Sequence, residues 1–396
     1  MAATETNTQV GIVGAGPAGL VLSHLLARAG IDSVVLESRS REYVEKRIRA
    51  GVLEQGTVDL LNELELGERL GREGLVHEGI ELRFDGQGHR IAFEELAPGR
   101  AITIYGQQEV VKDLIAARVE SGAPLLFEVE DVAVSGIDGE RPEISFTHEG
   151  QDQVLRCDAI AGCDGFHGPC RAAVPDGVLT LHEHTYPFAW LGILAEVAPS
   201  TDELIYAVND RGFALHSLRS PELSRLYVQC GPDDAVEDWP DERVWEELHL
   251  RLARDDGWTL KEGPVIEKAI APLSSFVAAP MQFGRLYLAG DAVHIVPATG
   301  AKGLNLAVHD VRVLAEALAS WLESGDESLL DAYSDTCLRR VWRTQHFSWW
   351  MTEMLHSFPG DDAFAKKLRR AQLDYVCTSD AAATTLAENY VGLAHV

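Results

Sequence analysis

Short apolar runs and helical periods alternate through the chain. Gln9–Val13 is a β-branched run, and Gly14-Ala15-Gly16-Pro17-Ala18-Gly19 interrupts it. Leu20–Ala29 then carries apolar residues at helical spacing, and Gly30 closes the segment. Ser33–Leu36 reads as a second buried strand, so the first forty residues predict a βαβ unit. Gly51–Arg72 predicts an amphipathic helical stretch, and from Ile80 to Phe93 apolar residues alternate around the turn Asp85-Gly86-Gln87-Gly88. Glu109–Glu120 predicts a helix, followed by alternating strands through Leu155. Four short runs, Ala189–Glu196, Glu203–Val208, Gly212–Leu218 and Ser224–Gln229, predict an antiparallel sheet. Asp241–Ala253 and Gly303–Leu322 read as helices and Arg285–Leu288 as a buried strand. The tail from Leu329 reads as helical, with the aromatic cluster Phe347-Ser348-Trp349-Trp350.

The fold expected from this pattern is α/β, in three regions. Residues 1–180 form a Rossmann-type dinucleotide-binding domain, discontinuous and completed by about 281–320. Residues 181–280 form a substrate domain built on the antiparallel sheet, and residues 281–396 a loop and helical interface region. Repeats, low-complexity tracts and long linkers are absent from the sequence.

Composition narrows the function. The 396 residues carry a formal charge of −28, which argues against nucleic acid and against anionic lipid, since both need a basic face. An anionic ligand must therefore be drawn in by local arginines rather than by the overall field. Cys157, Cys163, Cys170, Cys230, Cys337 and Cys377 are scattered, so no disulfide framework is expected and a reducing, cytoplasmic compartment fits. The first eight residues lack the basic and apolar regions of a signal peptide. The apolar stretch Val10–Ala29 is broken by glycines, Pro17, His24 and Arg28, so no membrane span is expected either.

The glycine motif carries the first chemistry. Gly14 permits a tight turn after the strand, Gly16 lets the backbone approach a pyrophosphate, and Gly19 allows close helix–strand packing. The helix start then offers N–H groups to the diphosphate. Glu37, about twenty residues on, suits the two ribose hydroxyls and disfavours a 2′-phosphate, so the dinucleotide is FAD or NAD. Two later segments favour FAD: Asp158–Gly165, containing Asp164, and Arg285–His294, containing Gly290-Asp291. The second leads into Pro297-Ala298-Thr299-Gly300-Ala301-Lys302-Gly303-Leu304-Asn305. There a strand delivers Asp291 towards a polyol hydroxyl, and a glycine-rich loop starts a helix whose N–H groups suit the negative charge of a reduced flavin.

The order of the glycine motif with Glu37, Cys163-Asp164-Gly165 and Gly290-Asp291 resembles the single-component flavin-dependent aromatic hydroxylases. The segments Arg47–Gly56, Gly74–Gly79, Ala161–Gly168, Thr299–Leu306, Phe347–Thr352 and Ala387–Leu393 resemble most closely those members that act on 4-hydroxybenzoate. The likeness covers nearly the whole chain. It implies a Rossmann-type FAD-binding domain, an antiparallel-sheet substrate domain and a helical C-terminal region that closes over the flavin, assembled as a homodimer.

The reaction it implies is hydroxylation of 4-hydroxybenzoate to 3,4-dihydroxybenzoate with O2 and NADH or NADPH, through a flavin C4a-hydroperoxide. In that cycle the substrate phenol must become phenolate-like and water must be excluded. By the same resemblance Ser217, Arg219 and Tyr227 bind the carboxylate, and Tyr206 bonds the phenol. Tyr390 is its relay partner, and His77 is the outlet where the proton meets solvent. Ala298 lines the substrate site. Lys302 and Asn305 lie near the isoalloxazine, with Gly303 and Leu304 between them. Arg47, Arg49, Gln107, Asp164 and Asp291 join Gly14, Gly16, Gly19 and Glu37 in holding FAD.

Arg39, Arg41, Tyr43, His167 and Arg171 fall on the pyridine-nucleotide pattern. Ser38 and Ser274, however, stand where NADPH-preferring members have arginine, so NADH is expected to be accepted. Two further departures are Ala298, where the family has a second proline, and His216, which replaces a small neutral residue. Strand alternation points His216 away from Ser217.

Cys163, His167 and Cys170 make a poor tetrahedral set, and no metal is expected. The sequence has no G-x-S-x-G elbow and no Gly-Lys dipeptide, which removes that hydrolase class and the Walker ATPases. Two alternatives remain: a hydroxylase of a related hydroxybenzoate, and a flavin-binding sensor without oxygen chemistry.

Overall fold

The computed structural model describes residues 4–47 and 51–392. Its first layer is a six-stranded sheet in the order Gln282–Phe283, Leu286–Leu288, Ala159–Gly162, Val10–Val13, Ser33–Leu36, Leu125–Leu126. All its pairings are parallel except the short edge hairpin Gln282–Phe283 with Leu286–Leu288. Val10, Ile12, Val35, Leu36 and Ile160 are fully buried, because the sheet is covered by helices and also by Ile144 and Leu155 of the strands Glu143–His148 and Gln151–Arg156. Helix Pro17–Arg28 follows the central strand and packs beside Gly303–Ser324, which returns from the far end of the sequence.

The second layer is an eight-stranded sheet: His294–Ile295, Val265–Ala279, Thr180–Ala195, Leu223–Cys230, Gly212–Ser220, Leu204–Asn209, Gly79–Phe84, Gln87–Ala92. The last two strands come from before residue 180: Gly79–Phe84 pairs in parallel with Leu204–Asn209 and antiparallel with Gln87–Ala92, so this sheet crosses the expected division at 180/181. The strand Val265–Ala279 was not visible in the pattern because Pro272 interrupts it. Proline is tolerated there because the outer neighbour, His294–Ile295, pairs only with Phe276 and Val277, leaving Pro272 on an open edge.

The sheet's alternation sorts its side chains onto two faces. Tyr206, Phe213, Leu215, Trp190 and Tyr227 lie on one, against Met351, Met354, Leu355 and Tyr390 of the C-terminal helices. Ile205, Ala207, Ala214, Leu226 and Val228 lie on the other, under Val244, Trp245 and Leu248 of helix Asp241–Arg251.

The expected helix over Gly51–Arg72 is corrected. Val52–Glu54 is a strand pairing with Ile102–Ile104, and the helices are Gln55–Glu63 and Glu68–Glu73. Asn305 explains the difference: its side chain accepts from the Glu54 amide and donates to the Val52 carbonyl, which holds that backbone extended. The helical tail resolves into Gly303–Ser324, Ser328–Asp331, Tyr333–Leu355, Ala363–Thr378 and Asp380–Val391. Among the described residues, no helix is long and apolar enough to cross a membrane.

Candidate active site

The glycine loop is built for close approach. Gly14 has φ +104°, and a Cβ there would stand 2.3 Å from the Cys163 carbonyl oxygen. A Cβ on Gly19 would stand 2.0 Å from the Gly14 carbonyl oxygen, which accounts for the tight helix–strand contact. A Cβ on Gly16 meets nothing within 4 Å. Helix Pro17–Arg28 begins there without a side-chain cap, so its first N–H groups face open space. Glu37 stands at the end of the neighbouring strand and accepts from the amides of Ala15 and Arg39, both at 2.8 Å. An uncapped helix start over open space with a carboxylate at its side fits a dinucleotide diphosphate and ribose. At the second loop, helix Gly303–Ser324 likewise starts without a side-chain cap, and Gly303 has open space above it. Asp291 is exposed just past the end of strand Leu286–Leu288.

Several sequence-predicted residues hold the protein to itself. Asp164 accepts from the Cys170 amide at 2.7 Å, capping the turn Pro169–Ala172 rather than reaching outward. Lys302 is buried, and its ammonium donates to Glu54 at 2.9 Å and to the Tyr390 carbonyl at 2.7 Å. Glu54 also takes Arg340 at 2.9 Å. Asn305 bonds Glu54, Thr57 and the carbonyls of Val52 and Ala301. Asp164, Lys302 and Asn305 thus make internal bonds that position the two loops, and one buried oxygen of Asp164 has no partner within the protein.

Arg171, expected at the pyridine nucleotide, donates to the carbonyls of Ala292 and Phe166, both at 2.7 Å. Arg41 is paired with Glu45, and Arg39 lies over the Tyr43 ring. His167 faces solvent while Cys163 and Cys170 are buried, which parts that trio. Arg47 is exposed, Gln107 opens helix Gln107–Glu120, and Leu304 is half-buried in the first turn of its helix. Arg49 lies outside the described residues.

The substrate sheet brings the remaining candidates together on one face. Arg219 lies over Gly51, where a Cβ would come within 2.9 Å of its guanidinium. Burial pulls Arg219 below its ordinary value. A guanidinium in that position offers a planar fork suited to a carboxylate. Ser217 and Tyr227 are half-buried on the same face. Gly192 leaves room for Tyr227, since a Cβ there would meet its ring at 3.2 Å. Ala298 is exposed at the start of the turn Ala298–Gly300.

Tyr206 is buried, and its hydroxyl donates to the Thr299 carbonyl at 3.1 Å while touching the Tyr390 hydroxyl. A carbonyl only accepts, so Tyr206 spends its single proton there and Tyr390 must donate to Tyr206. Burial raises both phenols above their ordinary value. Both are therefore neutral hydroxyls rather than tyrosinates.

His77 is corrected in one respect: it is 1% exposed, not at the solvent boundary. Neither ring nitrogen has a hydrogen-bond partner, and burial pushes its pKa down to about 4. His216 points away from Ser217 as expected, is buried on the opposite face, and accepts from the Ser200 amide at 3.1 Å.

Sequence reasoning missed Trp190, Thr299, Thr352 and His356. The spacing of Ser348, Thr352 and His356 by four residues along Tyr333–Leu355 and its end was the available signal: one polar stripe on an otherwise apolar helical face.

Burial lowers His77, His216 and His309 to about 4 and His356 to about 3. Their folded values lie below the unfolded one, so the unfolded chain binds more protons between about pH 4 and 6.5, and stability falls as pH falls through that window. Each contributes on the order of 1–2 kcal/mol of this loss at pH 5. His294 works the other way: burial lowers it, but the Asp310 carboxylate at 2.6 Å overrides burial and raises it. Burial lowers His24 as well, so five rings oppose one, and the expected outcome is a melting temperature several degrees lower at pH 5 than at pH 7, measured by calorimetry. An equal or higher value at pH 5 would contradict the neutral burial of these rings.

Comparison with known proteins places this geometry. The family model described as FAD binding domain matches residues 7–348. The p-hydroxybenzoate hydroxylase of Acinetobacter baylyi is 50% identical over 386 residues, spanning 98% of this chain and 95% of that protein. The crystal structure of p-nitrophenol 4-monooxygenase from Pseudomonas putida DLL-E4 superposes with a TM-score of 0.84 at 20% identity, covering 99% of this chain and 100% of that one. Aklavinone-11 hydroxylase, solved with FAD and aklavinone, gives a TM-score of 0.72 at 21% identity over 90% of this chain and 70% of that one. These two share the fold.

Proposed function

The chain belongs to the FAD binding domain family of flavin-dependent aromatic hydroxylases, and on that premise we propose that it hydroxylates 4-hydroxybenzoate at C3, using O2 and NAD(P)H, to give 3,4-dihydroxybenzoate. The observation that carries this reading is the 50% identity to a p-hydroxybenzoate hydroxylase along 98% of the chain. The common sheet face holding Arg219, Ser217, Tyr227 and Tyr206 supports it. FAD, when bound, accepts the electron pair of NAD(P)H and activates O2. The protein's part is to bind, orient and dry the substrate.

Arg219 takes the carboxylate in a bidentate fork, supplying the positive charge that an acidic protein otherwise lacks. Ser217 and Tyr227 complete that end. Tyr206 faces the phenol at the other, and its proton, now held by the Thr299 carbonyl, turns to the phenolate oxygen. Tyr390 keeps Tyr206 supplied as a donor. By the family resemblance His77, buried and neutral, is the residue to which this pair would pass a proton. Trp190, Phe213 and Leu215 wall the site with apolar surface that excludes water.

Incubating the FAD-loaded protein with NADH or NADPH, with and without 4-hydroxybenzoate, tests the reading. Substrate-stimulated oxidation with 3,4-dihydroxybenzoate as product is expected. Binding without stimulated oxidation would favour the sensor alternative. A product other than the 3,4-diol would redirect the reading to another ring. Arg219→Met is expected to raise KM for 4-hydroxybenzoate about 100-fold, equivalent to about 3 kcal/mol of lost charge-assisted binding. An unchanged KM would remove Arg219 from the carboxylate end.

The coenzyme is set at the edge of the glycine-loop domain. Arg39 and Arg41 lie there, the latter paired with Glu45, and Ser38 and Ser274 lack the charge found in NADPH-preferring members. Arg introduced at the half-buried Ser274 is expected to raise the NADPH-to-NADH ratio of kcat/KM several-fold, and an unchanged ratio would refute a role for the missing charge. The reading includes a cytoplasmic setting, supported by six cysteines that form no disulfide. It also includes a homodimer, which sedimentation would test.

A further inference from the structure

Behind Tyr206 runs a chain of buried hydrogen bonds that no direct substrate contact requires. Trp190 Nε1 donates to His356 Nε2 at 2.7 Å, and His356 Nδ1 lies 3.0 Å from the Thr352 carbonyl. A carbonyl only accepts, so His356 is the neutral tautomer with its proton on Nδ1, and both ring nitrogens are used. Its burial agrees with neutrality, and Arg369 is the charged neighbour that further disfavours protonation.

Thr352 Oγ1 donates to the Ser348 carbonyl at 2.7 Å, and Thr299 Oγ1 lies 2.8 Å from Thr352 Oγ1. One hydroxyl carries one proton, so Thr299 must be the donor to Thr352. The same Thr299 presents its carbonyl to Tyr206. Every proton in the chain therefore has one direction. Phe188 and Phe213 press on the His356 ring at centroid distances of 4.7 and 4.4 Å, and Thr299, Thr352 and His356 are fully buried.

We propose that Thr352, with His356 fixing the helix end that carries it, is a positioning residue for the hydroxylation, orienting Thr299 and through its carbonyl the proton of Tyr206. The inference rests on the proposed reading that Tyr206 faces the substrate phenol. In the unliganded site the Thr299 carbonyl holds the Tyr206 proton on the side away from Tyr390. A phenolate arriving on that side takes the proton over from the carbonyl, with the Tyr206 hydroxyl already turned away from Tyr390. Without Thr352's acceptor, Thr299 is released from the helix end, the Tyr206 proton loses its fixed direction, and the bound phenolate loses part of a charge-assisted bond.

The test is the ionisation of bound 4-hydroxybenzoate, followed by difference absorbance across pH in the FAD-loaded protein. Thr352→Val, close in shape but without the hydroxyl, is expected to shift the bound phenol's titration upward by about one pH unit. Thr352→Ser should restore the wild-type titration. Thr299→Val removes the same bond from its other end and should shift it likewise, which covers the case where Thr352→Val does not fold. A folded valine variant with the wild-type titration overturns the proposal, as does a Ser variant shifted as far as Val. If the wild-type protein itself neither binds 4-hydroxybenzoate nor yields the 3,4-diol, the reading beneath has failed instead.

Discussion

Gly14→Ala is expected to yield a protein that emerges colourless and takes up FAD at least 100-fold more weakly, a loss of about 3 kcal/mol or more. Two costs combine at this position. The backbone has φ +104°, where an L side chain is strained, and the added Cβ would stand 2.3 Å from the Cys163 carbonyl oxygen. The obstructing atom is backbone, so no rotamer change relieves it, and the loop must shift away from the strand Ala159–Gly162. A melting temperature well below wild type should accompany the loss of colour.

Gly16→Ala separates folding from binding. Its Cβ meets nothing within 4 Å, so the variant should fold with nearly wild-type stability and, on the proposed reading that the diphosphate fills this open space, still lose FAD affinity. Equilibrium titration with FAD and thermal melting of the two apoproteins decide the matter. Wild-type FAD affinity in Gly16→Ala would show that the diphosphate does not pass over this loop.

Tyr206→Phe should lower the hydroxylation rate by a factor on the order of 10² to 10⁴, the range for loss of a positioned proton donor. Product formed per NAD(P)H consumed should drop with it. The ring stays buried against Phe213 and Tyr390, so packing and fold survive. The deleted hydroxyl is the one atom that touches both the Thr299 carbonyl and the Tyr390 hydroxyl. Tyr390→Phe should act in the same direction with a smaller effect, because Tyr206 would keep its own proton. Product quantification beside coenzyme consumption distinguishes the outcomes. Full coupling in Tyr206→Phe would exclude this hydroxyl from the chemistry.

Much of the cofactor end was legible in the residues. The glycine spacing, the carboxylate at Glu37 and the later Gly290-Asp291 segment are local signals, because backbone turns and helix starts are set by neighbours in sequence. The substrate face was legible in part. The resemblance singled out Tyr206, Ser217 and Tyr227, which share one sheet face, and period-two alternation turned His216 away from Ser217. The strand through Pro272 and the strand Val52–Glu54 escaped notice. The first is tolerated because its edge is open, and the second is held by Asn305, 251 positions away in sequence.

The sequence by itself determined the family, the dinucleotide loop and the kind of chemistry, since these depend on residue type at short fixed spacings. Tertiary structure decided which polar groups are free to act. Lys302, Asp164 and Arg171 carry plausible ligand chemistry in one dimension, and in three each also bonds the protein itself, through Glu54, the Cys170 amide and two buried carbonyls, while Asp164 keeps one carboxylate oxygen unbonded. His77 could be assigned a proton role from its surrounding string but not its burial. Trp190, Thr299, Thr352 and His356 are brought from three distant segments into one directed chain. The physical reason is that a buried polar group must find a partner wherever the fold supplies one, and packing rather than chain order decides who that partner is.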